Sequence, residues 1–380
     1  MKNIIRLFIV SIAVIITACN NKQSDLYNLN NLSKKDIKLT RISLDSFFLK
    51  GIYTSGIGNV VLNHDKLLFV DKVFCSVFQF TLDGEFLESK LDKGRGPDQV
   101  SGINEFTVLS SGYFIMDESW GIYTLDSNWI KKEVNRVNFK TKKELSDLKN
   151  NPQPSDRGIY EVEYLKNIIR PLDEKRVLFP VTVEHPSLNG FFAGCEEYYN
   201  NCAILGILNV ENGEVEQLIG KRSPVFLEQK YIPNFNRISY DINGKDIIIS
   251  YEPDSALYIY NIIEGYKYKF GNRGRDMNTN YRRTTSFEAS EDNLHDDRLE
   301  FGYYTFVEYI EQTQLLFRGY QKGESQNDGL QIYKDKTLIA DIDVPKGFKI
   351  IGYSNNYYFA QGLIDEINEI IPMYKFKIEL

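Results

Sequence analysis

The chain has 380 residues and a net charge of −7, with no Lys/Arg-dense stripe, which leaves room for a large core or two ordinary domains and argues against a nucleic-acid partner. Its outlier is aromatic, 25 Tyr and 24 Phe against 2 Trp and 4 Met, and because Tyr and Phe favour strands this points to an all-β body more than to a carbohydrate-stacking surface. Beyond the first residues no apolar run approaches the roughly 20 residues of a membrane span.

Residues 1–18 read as a lipoprotein signal peptide. Lys2 and Arg6 form a positive n-region, Leu7 to Ile16 a short apolar h-region, and Ile16-Thr17-Ala18-Cys19 the small residues and cysteine of a lipobox. Cys19 is therefore the expected lipidation site, and cleavage before it leaves a chain of roughly 360 residues. Attachment to the membrane is expected through palmitate-type acyl chains rather than a basic patch. Residues 19–36 are polar and Asn-rich and read as a flexible tether. Residues 37–380 form the remaining domain, opening on a strand from Ile37 to Leu44 in which apolar positions alternate.

From about residue 57 a set of four strand-like runs recurs. The first comprises Asn59–Asn63, Lys66–Val70, Ser76–Leu82 and Phe86–Leu91, with Asp83-Gly84 as a hairpin turn whose residues must accept positive φ. The second comprises Glu105–Leu109, Tyr113–Asp117, Gly121–Leu125 and Trp129–Phe139. Thr141-Lys142-Lys143-Glu144 then resembles a capping box opening a helix over 142–149. The third set runs from Val162 to Ile219, the fourth from Arg237 to Phe270, and the fifth from Tyr303 to Val344, after a charged excursion over 274–300 with room for a short helix. The sixth offers only Lys349–Tyr353, Tyr357–Gly362 and Met373–Ile378. That deficit suits a ring of antiparallel blades, because the spare N-terminal strand can complete the last blade and remove two free edges. The expected fold is a six-bladed β-propeller of four-stranded blades, with five or seven as alternatives because the long third set has room for an irregular blade.

Three set-ends carry Gly/Arg-rich crossings: Gly94-Arg95-Gly96-Pro97, Gly220-Lys221-Arg222-Ser223-Pro224 and Gly271-Asn272-Arg273-Gly274-Arg275. Arg95, Arg222 and Arg273 are the candidate ligand-binding residues, since guanidinium groups engage carboxylates with two parallel bonds. The competing reading is that each braces its own crossing. The lipobox, the blade period and Lys93-Gly94-Arg95-Gly96-Pro97-Asp98-Gln99 together resemble the six-bladed β-propeller lipoproteins of Gram-negative envelopes, a group compared with TolB-like and NHL propellers. The resemblance implies fold and an envelope location, most simply the outer membrane, and carries over no catalytic residue.

Catalytic signatures are sparse. The three histidines, His64, His185 and His295, fall in a turn, before a proline and in the charged excursion, and there is no G-x-S-x-G, H-E-x-x-H or P-loop. No motif calls for a cofactor or a metal; the acidic run Glu291–Asp297 lacks EF-hand spacing. Glu118-Ser119-Trp120-Gly121 and Tyr303-Tyr304 are candidate aromatic platforms at a blade edge. Cys195 and Cys202 flank a polar segment and form a possible disulfide across a hairpin loop, whereas Cys75 reads as a small buried hydrophobe. The expected function is a non-catalytic binding module for an envelope protein or glycan. The alternative is a lyase or hydrolase with its site in the central channel, which several converging His, Asp or Glu side chains would mark.

Overall fold

The computed structural model describes residues 26–379 apart from Asn167 and Ala193, so Cys19 and the lipobox lie outside the described residues. Six antiparallel sheets arranged as blades form a β-propeller. Blade one is Gly58–Asn63, Lys66–Asp71, Ser76–Thr81 and Phe86–Lys90, and blade two is Glu105–Leu109, Gly112–Met116, Gly121–Asp126 and Lys131–Arg136. Blade four is Ile238–Asn243, Asp246–Tyr251, Leu257–Asn261 and Gly265–Phe270, and blade five is Phe301–Ile310, Leu315–Gly323, Asn327–Lys334 and Thr337–Pro345. Each second strand is almost wholly buried because neighbouring blades cover both of its faces, as in Lys66–Asp71 and Gly112–Met116.

Blade three departs from this regularity. Its inner strand is broken into Tyr160–Val162 and Arg170–Pro171, both paired with Arg176–Val183, and Tyr164, Leu165, Lys166, Ile168 and Ile169 lie outside the ladder between them. Leu205–Asn209 and Val215–Ile219 complete it.

The ring closes through an N-terminal strand, but over Asp45–Leu49 rather than Ile37–Leu44. Asp45–Leu49 is the outer strand of blade six, antiparallel to Ile371–Phe376, with Tyr357–Gln361 and Lys349–Ser354 inside it. The alternating stretch before it makes no four-residue ladder: Leu39, Ile42 and Leu44 pack sideways on the core between blades five and six. Alternation reports a buried face without naming a strand partner, and here the face is met by side chains, with backbone bonds only from Lys38 N and Leu39 N to Ile339 O. Part of the expected tether is docked as well. Leu26 and Leu29 are buried, Asn31 bridges Lys269 on the rim of blade four, and Lys34-Lys35 pairs parallel with Thr337-Leu338 on blade five. Residues 26–35 thus form a strap across blade edges.

A recurring aspartate ties blades one, two and four to the crossing that precedes each. Asp71 accepts from Thr54 Oγ1 at 2.6 Å and from the backbone N–H groups of Ser55 and Phe74. Burial alone would raise its carboxyl, but these donors outweigh it and hold the acid below the usual range. Asp117 accepts from Ser101 Oγ at 2.6 Å and Gly121 N at 2.7 Å, and Asp254 from Ser223 Oγ and Ala256 N. Between blades four and five the fully buried Arg318 donates to Ser250 Oγ, Ser255 O and Asp254 O and stacks on Tyr304 at 3.2 Å. Most of the aromatic excess is spent in such inter-blade layers, for example Tyr199, Phe226, Tyr251 and Tyr258 in successive ring contacts.

Strand direction sorts the connections. Blade-to-blade crossings and the links from second to third strands emerge on one face, and the tight hairpin turns on the other. The four α-helices all lie in connections of the first face: α1 (Leu145–Asn150), α2 (Glu196–Asn201), α3 (Val225–Gln229) and α4 (Phe287–Glu300). The helix expected over 142–149 begins later, because Glu144 occupies the N-cap position without a side-chain cap and Thr141 Oγ1 instead accepts from Lys143 N. α4 is a full 14-residue helix capped by Ser286, whose hydroxyl accepts from Ala289 N at 3.1 Å. Cys195 and Cys202 sit at the two ends of α2 as free, buried thiols. The segment is a helix instead of a hairpin loop, and seven residues at 1.5 Å each separate its ends by roughly 10 Å, past the reach of a disulfide.

Candidate functional site: the central channel

Blades one, two, five and six and the bulge of blade three enclose a cavity of about 570 Å3 on the axis, at the end from which the inner strands start. That end is the loop-bearing face. Inner strands bring Asn59, Glu105, Arg170, Glu308 and Lys349 to the cavity wall, from blades one, two, three, five and six, and Asp241 of the blade-four inner strand meets Arg170 there. Two further lysines arrive from connections, Lys72 from blade one and Lys166 from the bulge.

These charges are cross-braced between blades. Lys72 Nζ lies 2.8 Å from Glu105 Oε1, joining blades one and two. Arg170 pairs with Glu308 of blade five and reaches Asp241 of blade four at 3.4 Å, while Asp241 also accepts from Tyr309 N at 2.6 Å. Lys166 spans the axis to donate to Thr305 O at 2.6 Å. Beside the mouth, Arg298 of α4 forms a two-pronged bond with the buried Glu252 at 2.7 and 2.9 Å and stacks on Tyr303 at 3.7 Å. Lys349 Nζ has no hydrogen-bond or ion-pair partner among the described residues.

Burial shifts most of these groups. It raises the Glu308 carboxyl to about 7 against the attraction of Arg170, with Asp241 adding to the rise. It raises Glu105 too, opposed by Lys72. It lowers Lys166 to about 8, resisted by Glu252 and reinforced by Arg298 and Lys349. Lys349 is lowered by burial and then by the Arg170 charge, with Glu308 and Glu105 opposing. Arg170 loses to burial but gains more from Asp241 and Glu308, so it stays charged. Four carboxylates, Glu105, Asp241, Glu308 and Asp328, thus converge on the channel, each beside a cation, Asp328 with Lys346 at 2.9 Å. Among the described residues no group of three or more His, Cys, Asp or Glu is arranged to hold a metal ion.

The residues singled out from the sequence lie elsewhere on the same face and are not brought together. Arg95 is exposed on the crossing from blade one to blade two. That crossing is shaped by Gln99, whose Oε1 accepts from Gly96 N at 3.0 Å and would lie 2.1 Å from a Cβ at position 94, so Gly94 makes room for it. Arg222 is 4% exposed, bonds Asn236 at 2.8 Å and the Tyr198 hydroxyl, and stacks on the Tyr198 ring at 3.8 Å, the geometry of a brace. Arg273 is exposed and bonds Met277 O at 2.7 Å. Tyr303 and Tyr304 are buried beneath Arg298 and Arg318 and form no open platform, and Trp120 lies in the turn after Asp117. His64 and His295 are exposed, and His185 Nε2 lies 3.1 Å from Lys149 O. The acidic run 291–297 belongs to α4, where Asp297 pairs with Arg282 at 3.0 Å. Glu105, Arg170, Asp241, Glu308 and Lys349 went unmarked. Their signal was a polar residue in each of these inner strands, recognisable only once blades were aligned on one another.

The molecule is therefore a six-bladed propeller with a polar axial well opening on its loop-bearing face. No protein-family model matches the chain, and no curated protein matches it in sequence. Among solved structures it is similar to a member of the DUF4221 family from Bacteroides vulgatus, at 11% identity and a TM-score of 0.62 over 91% of this chain and 99% of that one. It is also similar to a Bacteroides fragilis protein described as exported, at 13% identity and a TM-score of 0.50, with the same coverage. At these identities the likeness is one of fold.

Proposed function

We propose that this protein is a lipid-anchored envelope lipoprotein whose propeller is a non-catalytic binding module for a protein or glycan, with the loop-bearing face as its binding face. The observation that carries the reading is the pairing of channel charges across blades: the acids of the well are engaged by Lys72 and Arg170 and act as braces between blades. All four α-helices among the described residues lie on the face where the well opens, and binding groups concentrate on loops held by a rigid scaffold. The Bacteroides fragilis neighbour described as exported supports a location outside the cytoplasm, and no helix among the described residues is long and apolar enough to cross a membrane.

Acylation at Cys19 would tether the body closely. Seven residues to Leu26 extend at most about 25 Å, so a partner would be met near the bilayer. Cys19→Ser tests the anchor: the protein is expected to lose its lipid label and leave the membrane fraction, and unchanged fractionation would refute it. Affinity purification of the acylated protein from its native envelope tests the binding role, with a reproducible protein or glycan partner expected and none recovered counting against it. A lyase or hydrolase is the second reading, favoured by Glu308 and Lys166, whose shifted values straddle neutrality within one cavity. Turnover of an envelope glycan, lost in Glu308→Gln, would establish it.

A further inference from the structure

Once the cross-blade pairs are set aside, the well holds an unbalanced residue of charge. Lys72 is satisfied by Glu105, and Arg170 by Glu308 and Asp241. Lys166 has spent one of its three donors on Thr305 O. Lys349 has spent none among the described residues. Asp328 on the same wall is paired with Lys346 at 2.9 Å, so five cations face four carboxylates, and both lysines without an acid partner line the same cavity. They are close enough that the Lys349 charge depresses Lys166. Ammonium groups taken from bulk water and left without a counter-charge are costly, and they persist where something else neutralises them. The cavity around them is of ligand size, about 570 Å3, and its wall includes the uncharged amides of Asn59, Asn104 and Gln321, suited to hydroxyl groups.

We propose that the axial well binds a small oxyanion-bearing molecule, a carboxylate or a phosphate ester of about sugar size, with the oxyanion between Lys166 and Lys349. The inference rests on the binding-module reading and names the chemistry of its ligand. The bulge of blade three is what makes the site: a continuous inner strand would keep residue 166 in the ladder, whereas the break carries Lys166 across to blade five. Glu308 tunes it, because a proton on that acid removes the nearest competing negative charge.

The test is calorimetric titration of the full-length protein in detergent with glucuronate, glucose 6-phosphate, inorganic phosphate and neutral glucose. Saturable binding of at least one anion is expected, weakening as salt rises, with glucose much weaker. Glucuronate alone would identify the source as a carboxylate, and the phosphates alone a phosphate ester. Lys349→Met, which removes the charge and keeps the stem, is expected to lose about tenfold or more in affinity with an unchanged or higher melting temperature. Lys166→Met gives a second, independent variant. No saturable anion binding, equal binding of glucose, or full affinity in both variants would overturn the proposal. If the anions fail while a partner still co-purifies, only this inference falls; failure of both removes the reading beneath it.

Discussion

Closure of the ring by Asp45–Leu49 makes Leu49 a position where a small change should be felt across two blades. Leu49 is 3% exposed and packs in one cluster with Val60, Leu67, Phe69 and Phe80 of blade one and Phe359, Ile371 and Met373 of blade six. Leu49→Ala removes three buried carbons from a contact that two blades share, which should cost about 3 kcal/mol. An unfolding entropy of about 2.1 cal/mol/K per residue over a body of this size amounts to roughly 0.7 kcal/mol/K, so the melting temperature should fall by about 4 °C. Phe48 is the internal control: it is the neighbouring residue of the same strand, its side chain points outward, and it is 44% exposed. Phe48→Ala should cost less than about 1 kcal/mol and shift melting by about 1 °C. Differential scanning calorimetry of the two variants makes the comparison. Equal shifts, or a shift below 1 °C for Leu49→Ala, would refute closure through this strand.

Arg222→Ala should destabilise the protein by about 3 kcal/mol, because it removes the bonds to Asn236 Oδ1 and the Tyr198 hydroxyl and the stack on the Tyr198 ring from a buried site, while Arg95→Ala on an exposed crossing should leave melting unchanged; thermal denaturation separates them, and equal effects would contradict the assignment of Arg222 as a brace. The Glu161 carboxyl is raised to about 8 by burial and then by its hydrogen bond with Glu184, so the folded protein keeps a proton that the unfolded chain releases above about 4.5, and stability contributed by that proton is lost as pH rises between those values. Glu161→Gln should therefore match the parent at pH 5 and exceed it at pH 9 by on the order of 1 kcal/mol, a figure kept small because Glu184 is exposed; urea denaturation at both pH values checks it, and a variant no more stable at pH 9 would disprove the shared proton.

Blades one, two and four are legible almost strand by strand, and blade six in its three C-terminal strands, because Asp83-Gly84, Asn243-Gly244 and similar turns punctuate runs whose apolar content reflects burial on two faces. What failed to show was whatever depends on a partner distant in sequence. Ile37–Leu44 alternates as well as any true strand, yet its side chains settle on blades five and six without a ladder, and the less regular Asp45–Leu49 takes the last place in the ring. The break in blade three was hidden because Tyr164, Leu165, Ile168 and Ile169 are as apolar as a strand should be. The binding reading of the Gly/Arg crossings drew on a visible motif, but Gln99 and Tyr198 show how such loops are held from within. The channel charges were invisible for a simpler reason. A single Glu105 or Lys349 in a strand is unremarkable in one dimension, and acquires meaning only when the inner strands meet on an axis.

The central claim is that recognition happens on the loop-bearing face around the well. Site-specific photo-crosslinking in the native envelope tests it most directly, with the photoreactive residue placed either at Tyr164, 57% exposed on the bulge at the well mouth, or at Ser127, exposed in a hairpin turn on the opposite face. Adducts to a partner protein or glycan should form from position 164 and not from position 127. Adducts from position 127 alone, or the same adducts from both, would contradict the account.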